Sequence, residues 1–219
     1  MYMIPQLAFI TSCVLLQFSY VKMDLFLFDQ IDGYGRLSES KQVYVIKNML
    51  KGLYLCVIVL LSLYFVLPGM LNDEWDNVTL QTFASLYVSN DIVGLYNVKL
   101  HASTRLHHMT CAIFLMGAWG ANFQASTTAK MLAVYTVFSA MSFPVNLYLA
   151  ARHIIYTQNP EMVLLKSVAK WGYVFSCMMN WCIQCYMGWY NQELYMWAYI
   201  AGLVFIVYDD IILLRWFFK

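Results

Sequence analysis

Charge is what this chain has least of. Lys, Arg, Asp and Glu make up 11% of its 219 residues, against about 25% in soluble domains. Hydrophobic residues reach 62%, and the mean hydropathy is +0.60. This excludes an ordinary soluble domain and indicates an integral membrane protein of one-domain size. The net charge of +1 excludes a nucleic-acid partner, which would need a clustered basic face. The first segment has no basic n-region and no small-residue cleavage site, so it is expected to be a retained helix rather than a signal peptide. Internal repeats and low-complexity tracts are missing. Extramembrane mass is too small for disulfides to staple. The six cysteines, at 13, 56, 111, 177, 182 and 185, all fall in apolar stretches. Cys182 and Cys185 have CxxC spacing, but within a membrane helix they are expected to be small packing residues.

What is present is apolar length. A membrane helix needs about 20 mostly apolar residues, and seven stretches qualify: 4–21, 44–67, 79–98, 105–122, 129–152, 163–189 and 194–217. The expected fold is all-α with about seven transmembrane helices. The 17 tyrosines and 7 tryptophans suit the two bilayer interfaces. Residues 22–43, with Asp24, Asp29, Asp32, Gly33, Gly35 and Arg36, are expected to form the one sizeable loop, with residues 25–28 lying on the interface. Pro68-Gly69 is expected to stop the second helix. Pro144 is expected to kink the fifth and free backbone carbonyls near it.

Orientation follows from the basic residues. With seven spans, Lys22, Arg36, Lys41, Lys47, Lys51, Lys99, Arg105, Arg152, Lys166, Arg215 and Lys219 share one side, out of 13 Lys and Arg in total. That side is expected to be cytoplasmic, with the amino terminus lumenal and the carboxyl terminus cytoplasmic. The opposite loop, 72–77, is acidic and leads into Asn77-Val78-Thr79, a glycosylation sequon.

Ionisable groups at bilayer depth are costly and tend to mark sites. Only 4 histidines occur, and two are adjacent: His107 and His108 head the apolar run Met109-Thr110-Cys111-Ala112-Ile113-Phe114. An imidazole near neutral pKa suits a general base or nucleophile in acyl transfer; hydrogen-bonded structural histidines are the alternative. The two side chains diverge by about 100° on a helix and lack HxxxH spacing, so no metal site and no cofactor are expected. Asp91, mid-span in the third helix, needs a partner: Lys99, Lys170 or a histidine of the next helix. Asn146 either caps backbone freed by Pro144 or lines a site; Arg152 either snorkels to head groups or does the same. Asp209 and Asp210 lie about 14 Å of helix from the chain's end, inside the bilayer, and also diverge. Arg215 is placed to reach back to Asp210, and a carboxylate facing an interior cavity would pair with an imidazole.

His107-His108-Met109-Thr110, preceded by Asp91 and followed by Ser142-Phe143-Pro144-Val145-Asn146-Leu147-Tyr148, resembles the TLC-domain family of ceramide synthases, translocon-associated membrane proteins and lipid-homeostasis proteins. The resemblance covers roughly residues 43–218. It implies a first helix and cytoplasmic loop over 1–42, then a six-helix barrel over 43–219 around a cavity that admits a lipid or acyl chain. It also implies an endoplasmic-reticulum address. Ceramide synthases carry an acidic tract after the His-His helix; here Tyr135-Thr136-Val137-Phe138-Ser139-Ala140 has no acid. Fatty-acid elongases also have seven spans and a His pair, within HxxHH; here Thr104 replaces the first His, and His101 is displaced by three residues.

Three functions compete. The first is binding, sensing or trafficking of a lipid in an intramembrane cavity, with Asn146, Arg152, Asp209 and Asp210 contacting it. The second is a lipid acyltransferase using His107 or His108, with Asp91, on an acyl chain or acyl-CoA. The third is an accessory subunit of a larger membrane complex or a homo-oligomer.

Overall fold

Backbone polar groups inside a bilayer must be satisfied by the segment itself or by a closed barrel, which commits long apolar runs to helix. The computed structural model describes residues 3–219, and those residues form helices and turns with no strand. In chain order they are α1 (Ile4–Gln30), α2 (Glu39–Leu61), α3 (Leu67–Leu71), α4 (Asn77–Asn97), α5 (Ala102–Gly120), α6 (Thr127–Ala140), α7 (Phe143–Ala151), α8 (Pro160–Tyr190) and α9 (Met196–Phe217). A π-helical turn, Ser62–Val66, joins α2 to α3, and a two-residue turn joins α6 to α7, so these make seven long rods. Four of them are long and apolar enough to cross a membrane: Ile4–Gln30, Glu39–Leu71, Thr127–Ala151 and Met196–Phe217. α4 is less apolar because it carries Ser85, Ser89, Asn90 and Asp91, all of which are buried against neighbouring helices.

Two expectations about breaks need correction. α1 does not end near residue 21. It runs to Gln30, so residues 25–28 are helical and the loop shrinks to 31–38. Lys22 and Asp24 are compatible with helix, and no glycine or proline occurs until Gly33. The short loop is pinned by Tyr34, which is fully buried and donates its hydroxyl to Asp24 Oδ1 at 2.6 Å. Pro68-Gly69 does not stop the second rod either. The backbone widens so that Leu67 N–H reaches Ser62 O, and Pro68 falls in the first turn of α3, where its missing N–H is not needed. The rod ends at Asn72, just before Asp73 at φ 57°. The fifth rod bends at Met141-Ser142, as expected near Pro144, but Asn146 does not cap a freed carbonyl: its Nδ2 donates at 3.2 Å to the Ser142 carbonyl, which already accepts from Val145 N–H at 3.0 Å.

α1 lies along α4. Ser12 Oγ contacts Ser89 Oγ and Tyr54 Oη at 2.7 Å each, and Gln17 exchanges amide hydrogen bonds with Asn97. The other six rods follow a cyclic order of neighbours: α2 packs on α4, α4 on α5, α5 on α9, α9 on α8, and α8 on the α6–α7 rod, which returns to α2. The main core threads this ring through Leu55, Ile58, Phe83, Leu115, Val134 and Ile206. Large apolar side chains such as Leu60, Phe65, Met116, Phe175 and Trp197 cover the outside, a surface that suits acyl chains and not water.

The α2–α7 crossing is close enough to demand glycine. A Cβ at Gly52 would sit 2.6 Å from Leu147 Cδ2 and 3.0 Å from the Leu147 backbone nitrogen. Backbone cannot rotate away, so Gly52→Val is expected to destabilise by about 2–3 kcal/mol, at the upper end of overpacking. Gly202→Ala should cost less, because its Cβ meets the movable Phe114 ring. The thermal midpoints of the two variants in the same detergent test this ranking. Equal midpoints would refute it.

Loops close the acidic end of the bundle. Glu193 accepts from Ser126 Oγ at 2.8 Å, Thr127 N at 2.5 Å and Thr128 N at 3.3 Å, clasping the start of α6. Asn77 Oδ1 accepts from Phe123 N at 2.7 Å, so the sequon's side chain is engaged in loop packing.

Candidate functional site

α5 begins at the basic end. His101 caps it, its Nδ1 accepting from Ser103 N–H. One and two turns on, Thr104, His107, His108 and Cys111 point inward at different angles. The rings of His107 and His108 stand at 88° with centroids 5.5 Å apart, so each meets a different carboxylate. His107 Nδ1 donates to Asp209 Oδ2 at 3.2 Å, and Thr104 Oγ1 donates to Asp209 Oδ1 at 3.1 Å. His108 Nε2 lies 3.4 Å from Asp91 Oδ1 and 3.4 Å from Lys51 Nζ.

The partner expected for Asp91 is only half right. The histidine is there, but the lysine is Lys51 of α2, whose Nζ donates to Asp91 Oδ1 at 2.6 Å. Lys99 is exposed at the end of α4. Lys170 lies over the rings of Phe218 and Trp171 at 3.8 and 5.1 Å. Asp210 does not pair with Arg215, which is exposed. Instead it accepts from the hydroxyls of Tyr135 at 2.6 Å and Tyr173 at 2.7 Å. The two aspartates diverge as their 100° separation requires, one toward α5 and one toward α6 and α8. Arg152 stacks its guanidinium 4.7 Å above the Trp216 ring rather than extending freely outward.

These groups surround a cavity of about 450 Å³ at the basic end of the bundle. His107, His108, Asn146, Arg152, Asp209 and Asp210 all line it, together with Lys47, Lys51, Lys99 and Trp216. Asp91 stands directly behind Lys51 and His108. Tyr87 is shared between this cavity and a narrow apolar slot of about 20 Å³ deeper in the bundle, lined by Val88, Cys111, Phe114, Leu115 and Ile206. Arg152 is shared with an open outer groove of about 680 Å³ that carries His153 and Lys166. Burial, with Arg152 and Lys41 nearby, holds the His153 imidazole below its ordinary value.

Buried polar atoms normally find partners. Of the six side-chain atoms that lack one among the described residues, Asp91 Oδ2, His108 Nδ1 and Arg152 Nε belong to this cavity or its wall. The cavity therefore holds polar groups that the protein itself satisfies incompletely. The cysteines are all free, and Cys182 and Cys185 are exposed on α8 rather than packed.

Sequence reasoning missed Lys51, Tyr135 and Tyr173. Lys51 had a visible signal: with Lys47 it forms an i, i+4 pair inside a helix that starts at Glu39, so both lysines share one inward face. The tyrosines had none, because a phenol facing a carboxylate looks like any membrane tyrosine in one dimension.

No family model, curated protein or solved structure matches this chain. Its function must come from the cavity's own chemistry.

Proposed function

We propose that this chain spans the membrane seven times and binds, senses or traffics a lipid, holding the polar end of the molecule at His107 and His108. The observation that carries this reading is the cavity of about 450 Å³, lined at the basic end by charged and polar side chains and on other walls by apolar ones. Such a lining suits an amphiphile: a head group meets Lys47, Lys51, His107 and Asn146, and an apolar portion meets Val145, Leu149, Ile212 and Leu213 of the same cavity. The cyclic neighbour order of the six later rods supports the barrel that the TLC resemblance implies. The distribution of Lys and Arg supports a cytoplasmic mouth, a lumenal amino terminus and a cytoplasmic carboxyl terminus. The endoplasmic-reticulum address rests on the resemblance alone.

One observation favours a second reading, lipid acyl transfer. His107 is oriented by Asp209, the base-plus-orienting-carboxylate arrangement that activates nucleophiles.

Native mass spectrometry with lipid extraction, on wild type and a His107→Ala/His108→Ala variant, separates these readings. The lipid-binding reading expects a defined lipid on wild type, lost from a variant that still folds. An acyl adduct on wild type would move the assignment to a transferase. No lipid on either, or equal retention by both, would overturn the cavity reading.

A further inference from the structure

We infer that Asp91, His107 and Cys111 bind one divalent cation of the zinc type, at the junction of the polar cavity and the apolar slot. A carboxylate oxygen of Asp91, a ring nitrogen of His107 and Cys111 Sγ all lie within 4.8 Å of one another. Zinc bonds of about 2.0–2.3 Å in tetrahedral geometry hold ligand atoms roughly 3.3–3.8 Å apart. Closing the trio onto an ion therefore takes about 1 Å of side-chain movement, within reach of small rotations. His107 and Cys111 are four residues apart on α5 and so share a face. Asp91 comes from α4, which packs on α5.

Three independent features fit an ion here. Lys51 takes only Oδ1 of Asp91, and Oδ2 is buried without a partner; a buried unpaired carboxylate oxygen calls for a ligand. His107 gives its Nδ1 proton to Asp209, the outer carboxylate contact that orients metal-binding imidazoles and leaves the other nitrogen's lone pair free. Charge also balances. The Asp91, Asp209 and Asp210 carboxylates and a Cys111 thiolate supply four negative charges, and a divalent ion with the Lys47 and Lys51 ammonium groups supplies four positive. A nitrogen, a sulfur and an oxygen donor suit zinc and disfavour magnesium or calcium. His108 is outside the trio because it turns away from His107, which is why His-His spacing pointed to no metal. Three protein ligands leave a fourth position, the pattern of zinc sites that act on a ligand or bind water. His107 lines the polar cavity and Cys111 the slot, so that position lies between the two.

The test does not depend on lipid binding. The full chain is purified in detergent, stripped with chelator and loaded with Zn²⁺ or Co²⁺. A Cys182→Ser/Cys185→Ser background removes the exposed thiol pair on α8 as a competing site. Elemental analysis should return one ion per chain, and the Co²⁺ form should show a near-ultraviolet thiolate-to-cobalt charge-transfer band. Cys111→Ser should abolish that band while keeping the elution profile. Asp209→Asn, which leaves the three ligands in place and weakens the outer contact to His107, should weaken zinc roughly ten- to a hundred-fold. Stoichiometry near zero in the loaded background protein would overturn the site. So would a charge-transfer band that survives Cys111→Ser, or an affinity unchanged in both Asp91→Asn and Cys111→Ser.

Discussion

Lys51→Met is expected to destabilise the protein by about 3–5 kcal/mol, the cost of leaving one member of a buried ion pair without the other. Asp91 is almost wholly buried, its Oδ1 is held by Lys51 at 2.6 Å, and Oδ2 has no partner. Without Lys51, His108 at 3.4 Å is the remaining ion-pair partner of the carboxylate. Asp91→Leu should be similarly costly, because it strands Lys51 among Lys47, His108 and the apolar wall. The double variant Lys51→Met/Asp91→Leu should recover most of the loss, since apolar replacement of a whole buried pair is often neutral. A double-mutant cycle on unfolding in one detergent reads the coupling directly. Single variants within about 1 kcal/mol of wild type, or losses that simply add, would show that the pair does not tie α2 to α4.

The second large effect is expected at Asp210. Its two oxygens are each satisfied by a phenol, Tyr135 from α6 and Tyr173 from α8. Hydrogen bonds to a charged group are worth about 1.5–3 kcal/mol each. Tyr135→Phe and Tyr173→Phe should each cost about that much. The double variant should cost more than their sum, because the second loss strands a buried carboxylate with no donor. Adding Asp210→Leu should then restore stability, since removing donor and acceptor together leaves nothing unsatisfied. Melting curves of the four proteins test this. A double Tyr→Phe variant that melts with wild type would mean Asp210 is not held as a carboxylate by these phenols.

Both effects arise at contacts that span long stretches of sequence. Lys51 and Asp91 are 40 residues apart, Tyr135 and Asp210 are 75, and His107 and Asp209 are 102. The chain shows each group's presence and depth but not which helix faces it. Asp91 was readable as a charge in need of a partner. Lys51 was read as a basic residue near the membrane edge, although the helix carrying it begins a full three turns earlier. Helix ends were misjudged for a related reason. Lys22 and Asp24 interrupt the apolar run without interrupting the helix, and Pro68 is absorbed by a π-helical turn that no residue pattern announces.

By itself, then, the sequence determined that the chain is helical with runs long and apolar enough to cross a membrane, that its fifth rod bends near Pro144, and that scarce ionisable groups gather toward the basic end. Length, hydropathy and charge distribution carry that information locally. Only the tertiary structure decided that His107 faces Asp209 while His108 faces Asp91 and Lys51, that Asp210 belongs to two tyrosines, and that Asp91, His107 and Cys111 converge. A 100° step per residue separates neighbours in sequence, and helix packing chooses which distant side chains fill each direction.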